Sequence, residues 1–192
     1  MSFLFPNEVL TAYKTSFFPM ADIEDGAIFW YSPEVRAIFD LDKINFDKST
    51  LKKIKKGTFS FSINKDFDFV IRSCSNRSNT WISEEIIDIY TELHNMGYAH
   101  SVEVWSEGSI CGGLYGVAIG GAFFGESMFN LISDAAKAAF YFLAAHLKYQ
   151  GFILLDSQYI NPFTKQLGAF EIPKQEYLEL LEEAIELDRT FV

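Results

Sequence analysis

The stretch HSVEVWSEGSICGGLYGVAI, residues 100–119, holds two runs rich in β-branched and aromatic residues on either side of a short polar turn. His100 to Glu107 and Ile110 to Ile119 are predicted to form adjacent antiparallel strands, joined at Gly108-Ser109. The glycine-rich segment that begins in the second strand lacks the Lys-Ser/Thr ending of a phosphate-binding loop. We interpret its glycines as positions of β-bulges or of close backbone approach. They are Gly112, Gly113, Gly116, Gly120 and Gly121.

Further segments with a helical apolar period or a short apolar run surround this hairpin. They are predicted helices at Ser83–Met96, Ser133–Tyr149 and Gln175–Glu186, and a predicted buried strand at Ile153–Asp156. Helices around a central mixed sheet predict an α+β domain over residues 44–192. Residues 1–43 are predicted to form a small N-terminal domain that precedes it.

The composition predicts a water-soluble globular chain. It has 192 residues, 49% of them apolar and 20 of them Phe, which is enough for a sizeable core. No apolar run reaches the ~18–20 residues that a membrane helix needs, and the first residues lack the features of a signal peptide. Two cysteines, Cys74 and Cys111, give neither a disulfide framework nor a zinc pattern. We therefore expect a cytoplasmic protein with reduced thiols and no membrane contact.

The charge is unevenly distributed along the chain. The net charge is −10, which argues against a general nucleic-acid binder. Five lysines nevertheless cluster on a predicted helix that ends at Gly57. They are Lys48, Lys52, Lys53, Lys55 and Lys56. Such a cluster either holds phosphates or is simply the solvated end of a helix, and the charge pattern leaves both interpretations open.

Metal and thiol chemistry find no support in the sequence. The three histidines, His94, His100 and His146, are scattered, and neither cysteine lies near a second ligand. We expect these histidines to be surface residues or hydrogen-bonded structural ones. A nucleophilic cysteine has no His or Asn partner at an interpretable spacing. The prediction is a site without metal.

Two carboxylates stand in strongly apolar surroundings. Glu126 lies within Phe124-Gly-Glu-Ser-Met-Phe129, and Asp156 ends the apolar run that begins at Phe152. Burying an ionised carboxylate without partners costs several kcal/mol, which favours a functional role for both. Asp156 and Gln158 are expected to alternate along one strand, so their side chains would share a face. There they would orient or deprotonate an attacking amine, unless Asp156 is only satisfied by backbone amides.

Beyond these patterns, matching segments occur in one order along most of the chain. They are Thr80-Trp-Ile82, Leu93-His94 with Gly97, Ala99-His-Ser-Val-Glu103 with Trp105, Gly112-Gly-Leu-Tyr-Gly-Val-Ala118, Phe124-Gly-Glu-Ser-Met-Phe129, Leu155-Asp156 with Gln158, and Leu167-Gly-Ala169 with Ile172-Pro173. In these segments the chain resembles the bacterial leucyl/phenylalanyl-tRNA–protein transferase family. The resemblance runs from about Asn7 to Tyr177.

The resemblance implies a GNAT-like C-terminal domain behind a shortened N-terminal domain. It also implies transfer of Leu or Phe from aminoacyl-tRNA to proteins that begin with Arg or Lys, which marks them for N-degron proteolysis. No cofactor is expected, because the aminoacyl ester is already activated. The donor residue stays open among Leu, Phe and Met.

Site residues are also implied by the resemblance, position by position. Asp156 and Gln158 match the pair that activates the amine, and Trp81 matches an aromatic that holds the terminal adenosine. The implied aminoacyl pocket contains Glu126, Met128, Phe140 and Leu155. The lysines at positions 48, 52, 53, 55 and 56 match basic residues near the tRNA acceptor stem.

The chain departs from the family pattern at several positions, which leaves other functions open. Met20 replaces an expected Trp, and Phe163, Gln166, Asn130 and Leu131 replace residues that are usually polar, basic or small. One alternative is a catalytically weak module that binds tRNA or protein N-termini. Another is an acetyl-CoA-dependent acyltransferase, but the Gly-rich segment at residues 120–125 has neither Arg nor Gln for a pyrophosphate.

Overall fold

A computed structural model describes residues 4–192, so Met1–Phe3, with which the predicted N-terminal domain begins, lie outside it. The strands are β1 (Phe18–Ala21), β2 (Ile28–Tyr31), β3 (Val35–Phe39), β4 (Ser60–Ile63), β5 (Ala99–Ser106), β6 (Ser109–Ile119), β7 (Ala122–Asn130), β8 (Leu154–Asp156) and β9 (Phe170–Pro173). The helices are α1 (Pro6–Lys14), α2 (Lys48–Lys55), α3 (Phe67–Ser75), α4 (Glu84–Asn95), α5 (Ala135–Gln150), α6 (Pro162–Gln166) and α7 (Lys174–Glu186).

A seven-stranded mixed sheet forms the centre of the molecule. Its strand order is β4-β5-β6-β7-β8-β3-β9, and every neighbouring pair is antiparallel except β7 and β8. The hairpin predicted at residues 100–119 is confirmed as β5 and β6. Strands β1 and β2 form a separate antiparallel hairpin. It contacts the segment before α4, where the backbone N–H of Ala21 lies 3.2 Å from the carbonyl oxygen of Trp81.

Helices cover both faces of the large sheet, and each face has its own apolar core. One core contains buried residues of α1, α3, α4 and α7, and the other contains those of α5. The predicted α+β class, with a mixed sheet flanked by helices, is therefore confirmed. None of the helices between residues 4 and 192 is long and apolar enough to cross a membrane.

The longer helices begin and end within two residues of their predicted bounds. The Ser83 side chain accepts a hydrogen bond from the backbone N–H of Ile86 at the start of α4, and Gly97 follows its end with φ +84°. Gly151 ends α5 in the same left-handed conformation, with φ +77°. The basic helix α2 is capped by Asp47, which accepts from the backbone N–H of Thr50. These caps explain why the helix ends were readable from the sequence.

Strands β7 and β8 diverge after a very short parallel contact. They pair over only three residues each, from Ala122 with Leu154 to Phe124 with Asp156. Beyond that point β7 continues to Asn130, whereas the chain after Asp156 turns away through Gln158, whose φ is +55°. The prediction that Asp156 and Gln158 share one strand is therefore wrong, because β8 ends at Asp156. The divergence opens a gap inside the sheet.

A β-bulge lies at the edge of this gap. Tyr115 pairs with Ser127 and Gly116 pairs with Gly125, so Glu126 is an extra residue without a partner on β6. A Cβ at Gly116 would overlap the backbone oxygen of Phe124, which explains the glycine there and agrees with its prediction as a bulge residue. The bulge turns the Glu126 side chain toward the gap.

The N-terminal part of the chain contributes to the main sheet. Strand β3 lies between β8 and β9, and it pairs antiparallel with both. The division of the chain at residue 43 stays a prediction.

Candidate active site

A pocket of about 410 Å³ opens where β7 and β8 diverge. All the residues predicted for catalysis and for the aminoacyl pocket line it, together with the predicted adenosine-binding aromatic. They are Trp81, Glu126, Met128, Phe140, Leu155, Asp156 and Gln158. None of the five predicted lysines lines it. The cavity thus contains the predicted catalytic residues, the predicted aminoacyl-pocket residues and, from the predicted tRNA-binding group, Trp81 alone.

Asp156 lies at the bottom of the pocket, and its side chain is 0% exposed. Its Oδ1 accepts hydrogen bonds from Arg36 Nε at 3.0 Å and from the backbone N–H of Gln158 at 2.8 Å. Its Oδ2 accepts from Arg36 Nη2 at 2.6 Å and from the Tyr177 hydroxyl at 2.7 Å. Protein donors therefore occupy both carboxylate oxygens of Asp156.

Arg36 balances this carboxylate from strand β3. Its guanidinium lies between the rings of Phe18 and Tyr177, 4.6 and 4.7 Å from their centroids, and its Nη1 donates to the Ser16 carbonyl. Burial lowers the pKa of Arg36, but the attraction of Asp156 outweighs it, so the net pKa is raised above its usual value. The Arg36 guanidinium therefore keeps its charge beside the Asp156 carboxylate, 2.6 Å away.

The sequence interpretation missed Arg36. The available signal was a single arginine next to the apolar run Ala37-Ile-Phe39. Since a buried arginine requires a carboxylate partner, such a residue could have been sought as the partner of Asp156.

Glu126 has a different environment, made only of neutral donors. Its Oε1 accepts from the Tyr13 hydroxyl at 2.6 Å and from Gln158 Nε2 at 3.1 Å, and its Oε2 accepts from the Tyr90 hydroxyl at 3.3 Å. Burial, aided by the negative charge of Asp156, raises the pKa of Glu126 to about 7, although the tyrosine hydrogen bonds lower it. Glu126 therefore exchanges a proton near neutral pH.

Gln158 connects the two carboxylates. Its backbone N–H binds Asp156, and its side-chain amide donates to Glu126. Its left-handed φ is an uncommon conformation for a residue with a side chain, and the Asp156 hydrogen bond holds it in place. The buried ion pair thus fixes the turn that presents the Gln158 amide to the pocket.

The rest of the pocket wall is largely apolar. Met128, Phe140 and Leu155 contribute to it, together with further apolar residues from β3, β6 and α5. Phe163, one of the departures from the family pattern, also lines the pocket. A wall of this kind holds an apolar side chain and excludes water from it.

Four of the predicted lysines lie on α2, which packs against α5, and Lys56 directly follows its last residue. Lys53 forms an ion pair with Asp134, with 2.7 Å between Nζ and Oδ2, and the other four lysines are exposed. Phe140, also on α5, lines the pocket. The basic helix is therefore one helix away from the cavity, and its contact with tRNA stays a prediction.

Arg77 and Tyr115 also line the pocket, and the sequence interpretation assigned no role to either. The Nε of Arg77 donates to the backbone oxygen of Cys74 at 2.8 Å, and its Nη2 donates to the Ser127 hydroxyl. The buried hydroxyl of Tyr115 has no hydrogen-bond partner within residues 4–192.

The histidines and cysteines have structural environments. Nδ1 of His94 lies 2.8 Å from the backbone oxygen of Ala99, and Nε2 of His146 lies 2.6 Å from that of Phe191. Burial raises the pKa of the Cys74 thiol to about 12, which makes it a poor nucleophile. Within the described part of the chain, no group of three His, Cys, Asp or Glu side chains is arranged to hold a metal ion.

Comparison with known proteins gives consistent matches along the chain. The family model of the leucyl/phenylalanyl-tRNA protein transferase matches residues 38–182, and the model of its N-terminal domain matches residues 4–34. A leucyl/phenylalanyl-tRNA–protein transferase from Gloeobacter violaceus is 47% identical over 188 residues, covering 98% of this chain and 97% of the relative. The transferase from Chlorobaculum tepidum is also 47% identical, covering 96% and 97%.

Among solved structures, the fold is similar to that of FemX. The TM-score is 0.57 at 11% sequence identity, and the match covers 92% of this chain and 71% of FemX. At this identity the likeness concerns the fold alone.

Proposed function

The chain belongs to the leucyl/phenylalanyl-tRNA protein transferase family, and from this premise we propose that its pocket transfers leucine or phenylalanine from aminoacyl-tRNA to the amino terminus of a protein. As a family member it is an aminoacyltransferase, with an aminoacyl-tRNA and a protein as substrates. One observation carries the proposal. A single cavity is lined by an apolar wall, the Trp81 ring and the Glu126 carboxylate, whose pKa is raised to about 7.

Each part of the pocket matches one part of the donor. The apolar wall at Met128, Phe140 and Leu155 receives the leucine or phenylalanine side chain. Trp81 stacks on the base of the terminal adenosine, since every base offers a flat face to an indole. The ester carbonyl then lies beside Glu126 and Gln158, where the acceptor amine arrives.

The reaction is the aminolysis of an ester. The lone pair of the neutral amine attacks the ester carbonyl carbon, and the carbonyl oxygen takes up the negative charge. Glu126 accepts the proton that the attacking nitrogen loses. When the intermediate collapses, the bond to the ribose oxygen breaks and that oxygen takes the proton from Glu126. The products are an amide at the protein N-terminus and a free tRNA.

Asp156 serves this reaction by orienting Gln158. Its two oxygens are occupied by Arg36, Tyr177 and the Gln158 backbone, so it has no free site for a substrate proton. Of the two roles that the sequence left open for Asp156, this geometry supports the orienting one. Gln158 in turn directs its amide toward the carboxylate and the incoming amine.

The proposal extends to both partners and to the cell compartment. The Glu126 carboxylate and the net charge of −10 favour acceptors that begin with Arg or Lys, which then become N-degron substrates. Exposed lysines on α2 give a basic surface for the tRNA acceptor stem. A cytoplasmic location, where charged tRNA is present, belongs to the same proposal.

A transfer assay tests the proposed function. Purified protein is incubated with tRNA charged with labelled leucine, phenylalanine or methionine, and with reporter peptides that begin with Arg, Lys, Asp or Ala. We expect label from the leucyl and phenylalanyl donors on the Arg and Lys peptides. Label on the Asp peptide would contradict the acceptor rule. No label, with charged tRNA still bound in a salt-sensitive way, would instead identify a binding module.

A further inference from the structure

Arg77 lies in the segment between α3 and α4 that also carries Trp81, and both side chains line the pocket. The Arg77 residue is exposed to solvent. Its guanidinium is nevertheless held in place, because Nε donates to the Cys74 backbone and Nη2 to the Ser127 hydroxyl. An arginine that is both exposed and fixed is prepared for a ligand at the pocket mouth.

Within residues 4–192, no carboxylate forms an ion pair with Arg77. Arg77 is the only Lys or Arg among the residues of this range that line the pocket. Arg72, five positions earlier on α3, behaves differently. It pairs with Asp68 at 2.8 Å and with Glu84 at 3.2 Å. The unpaired guanidinium therefore points to an anionic group of the substrate.

We propose that Arg77 binds the phosphodiester that joins the last two nucleotides of the aminoacyl-tRNA. This inference rests on the proposed function, in which the terminal base stacks on Trp81. The phosphodiester is then the first anionic group outside the pocket, on the 5′ side of the stacked nucleoside. A guanidinium recognises phosphate oxygens through parallel hydrogen bonds that an ammonium group does not reproduce. Arg77 is thus a positioning residue for the donor end.

The test uses two non-hydrolysable donor analogues, in which phenylalanine is amide-linked to the 3′ position of adenosine. One has a free 5′ hydroxyl, and the other has a 5′ methyl phosphodiester. Each analogue is measured as a competitive inhibitor of transfer from phenylalanyl-tRNA to an Arg peptide. We expect the diester to inhibit about tenfold more tightly in the wild-type protein. In Arg77→Ala the two inhibition constants should become equal, and Arg77→Lys should restore the difference only in part.

Arg72→Ala is the matched control, because it removes an exposed arginine that already has carboxylate partners. It should keep the wild-type ratio of the two inhibition constants. Since each ratio is taken within one variant, a general loss of folded protein cancels. Equal inhibition by both analogues in the wild-type protein, or an unchanged ratio in Arg77→Ala, would overturn the phosphodiester site alone. Failure of the wild-type protein to transfer from charged tRNA would overturn the proposed function as well.

Salt dependence gives a second, independent readout. Losing one phosphate contact to single-stranded nucleic acid should reduce the slope of log Kd against log salt by about 0.7. Charged-tRNA binding by Arg77→Ala should show that reduction, whereas Arg72→Ala should keep the wild-type slope. An unchanged slope in Arg77→Ala would count against the site.

Discussion

The two carboxylates of the pocket lie on neighbouring strands, yet their surroundings differ in kind. Asp156 faces a buried guanidinium, a tyrosine hydroxyl and a backbone N–H, which fix the position of its side chain. Glu126 faces two tyrosine hydroxyls and an amide, and its pKa is raised to about 7. The comparison shows that burial alone does not assign a catalytic role. The two carboxylates differ in the charge of their hydrogen-bond partners, a cation beside Asp156 and only neutral donors beside Glu126.

The largest expected effect comes from breaking the fixed pair. Arg36→Met leaves the Asp156 carboxylate buried without a cation, and the free energy of unfolding should fall by about 3–5 kcal/mol. Urea denaturation at pH 7.5 measures it. The double variant Arg36→Met/Asp156→Asn should lose less than the sum of the two single variants, because neither charge is then left alone. Simple additivity would show that the two residues do not act as a pair.

Glu126→Gln should separate chemistry from stability. The amide keeps the size of the side chain and accepts hydrogen bonds from tyrosine, but it cannot take a proton. We expect kcat/KM for transfer from phenylalanyl-tRNA to fall about 100-fold or more, with no loss of unfolding free energy at pH 7.5. Asp156→Asn should instead lose activity and stability together. Normal transfer by Glu126→Gln would mean that the amine proton leaves by another route.

The pH dependence of stability should report the raised pKa of Glu126. A carboxyl group whose pKa is raised in the folded state binds more protons there than in the unfolded chain, between pH values of about 4.5 and about 7. Over that range its contribution lowers the unfolding free energy as pH rises, and the loss is complete above pH 7.

Glu126→Gln removes this loss. The unfolding free energy of the variant should therefore increase relative to that of the wild-type protein as pH rises. The difference should reach on the order of 2 kcal/mol at pH 8, less than full linkage because Glu126 is partly open to pocket water. Denaturation curves at pH 5, 6, 7 and 8 measure it. Glu24→Gln, at an exposed turn position, is the control for the removal of a surface carboxylate. A flat difference for Glu126→Gln would contradict the raised pKa.

The last comparison uses two matched variants, each of which removes one buried tyrosine hydroxyl, and it includes the smallest expected effect. Tyr177 and Tyr115 are both fully buried, but only the Tyr177 hydroxyl has a partner, the Asp156 carboxylate. Tyr177→Phe should cost about 1.5–3 kcal/mol of unfolding free energy, and Tyr115→Phe should stay within about 0.5 kcal/mol of the wild-type protein. Thermal or urea unfolding of both variants is the measurement. Equal losses would show that Tyr115 has a partner as strong as a carboxylate.

Local patterns predicted the elements that depend on local rules. The runs of β-branched and aromatic residues in β5 and β6 and the caps of α4 and α5 are short-range signals, and the structure follows them. Strand β7 was not predicted, because the bulge at Glu126 interrupts its alternation. Strand β3 was missed as well, since four of its five residues are buried in succession and no period of two appears.

The candidate site was predictable as a set of residues but not as a geometry. Glu126 and Asp156 stood out because each is charged within an apolar stretch. Their partners could not be derived in the same way, since Arg36 precedes Asp156 by 120 positions and only the sheet order brings them together. The reversal of the chain at Gln158 depends on a hydrogen bond to Asp156, which no alternation rule contains.

The position of β3 between β8 and β9 has a consequence for how the protein is made. About 115 residues separate the end of β3 from the start of β8, so roughly 6–23 s of synthesis pass before the first of the two neighbours of β3 is made. Until then Arg36 has no carboxylate to pair with and the sheet ends at β7. Contacts so distant in sequence also make folding slow. The pocket is therefore completed only after β8 has been made, and a chain released before Leu154 lacks Asp156 and Gln158.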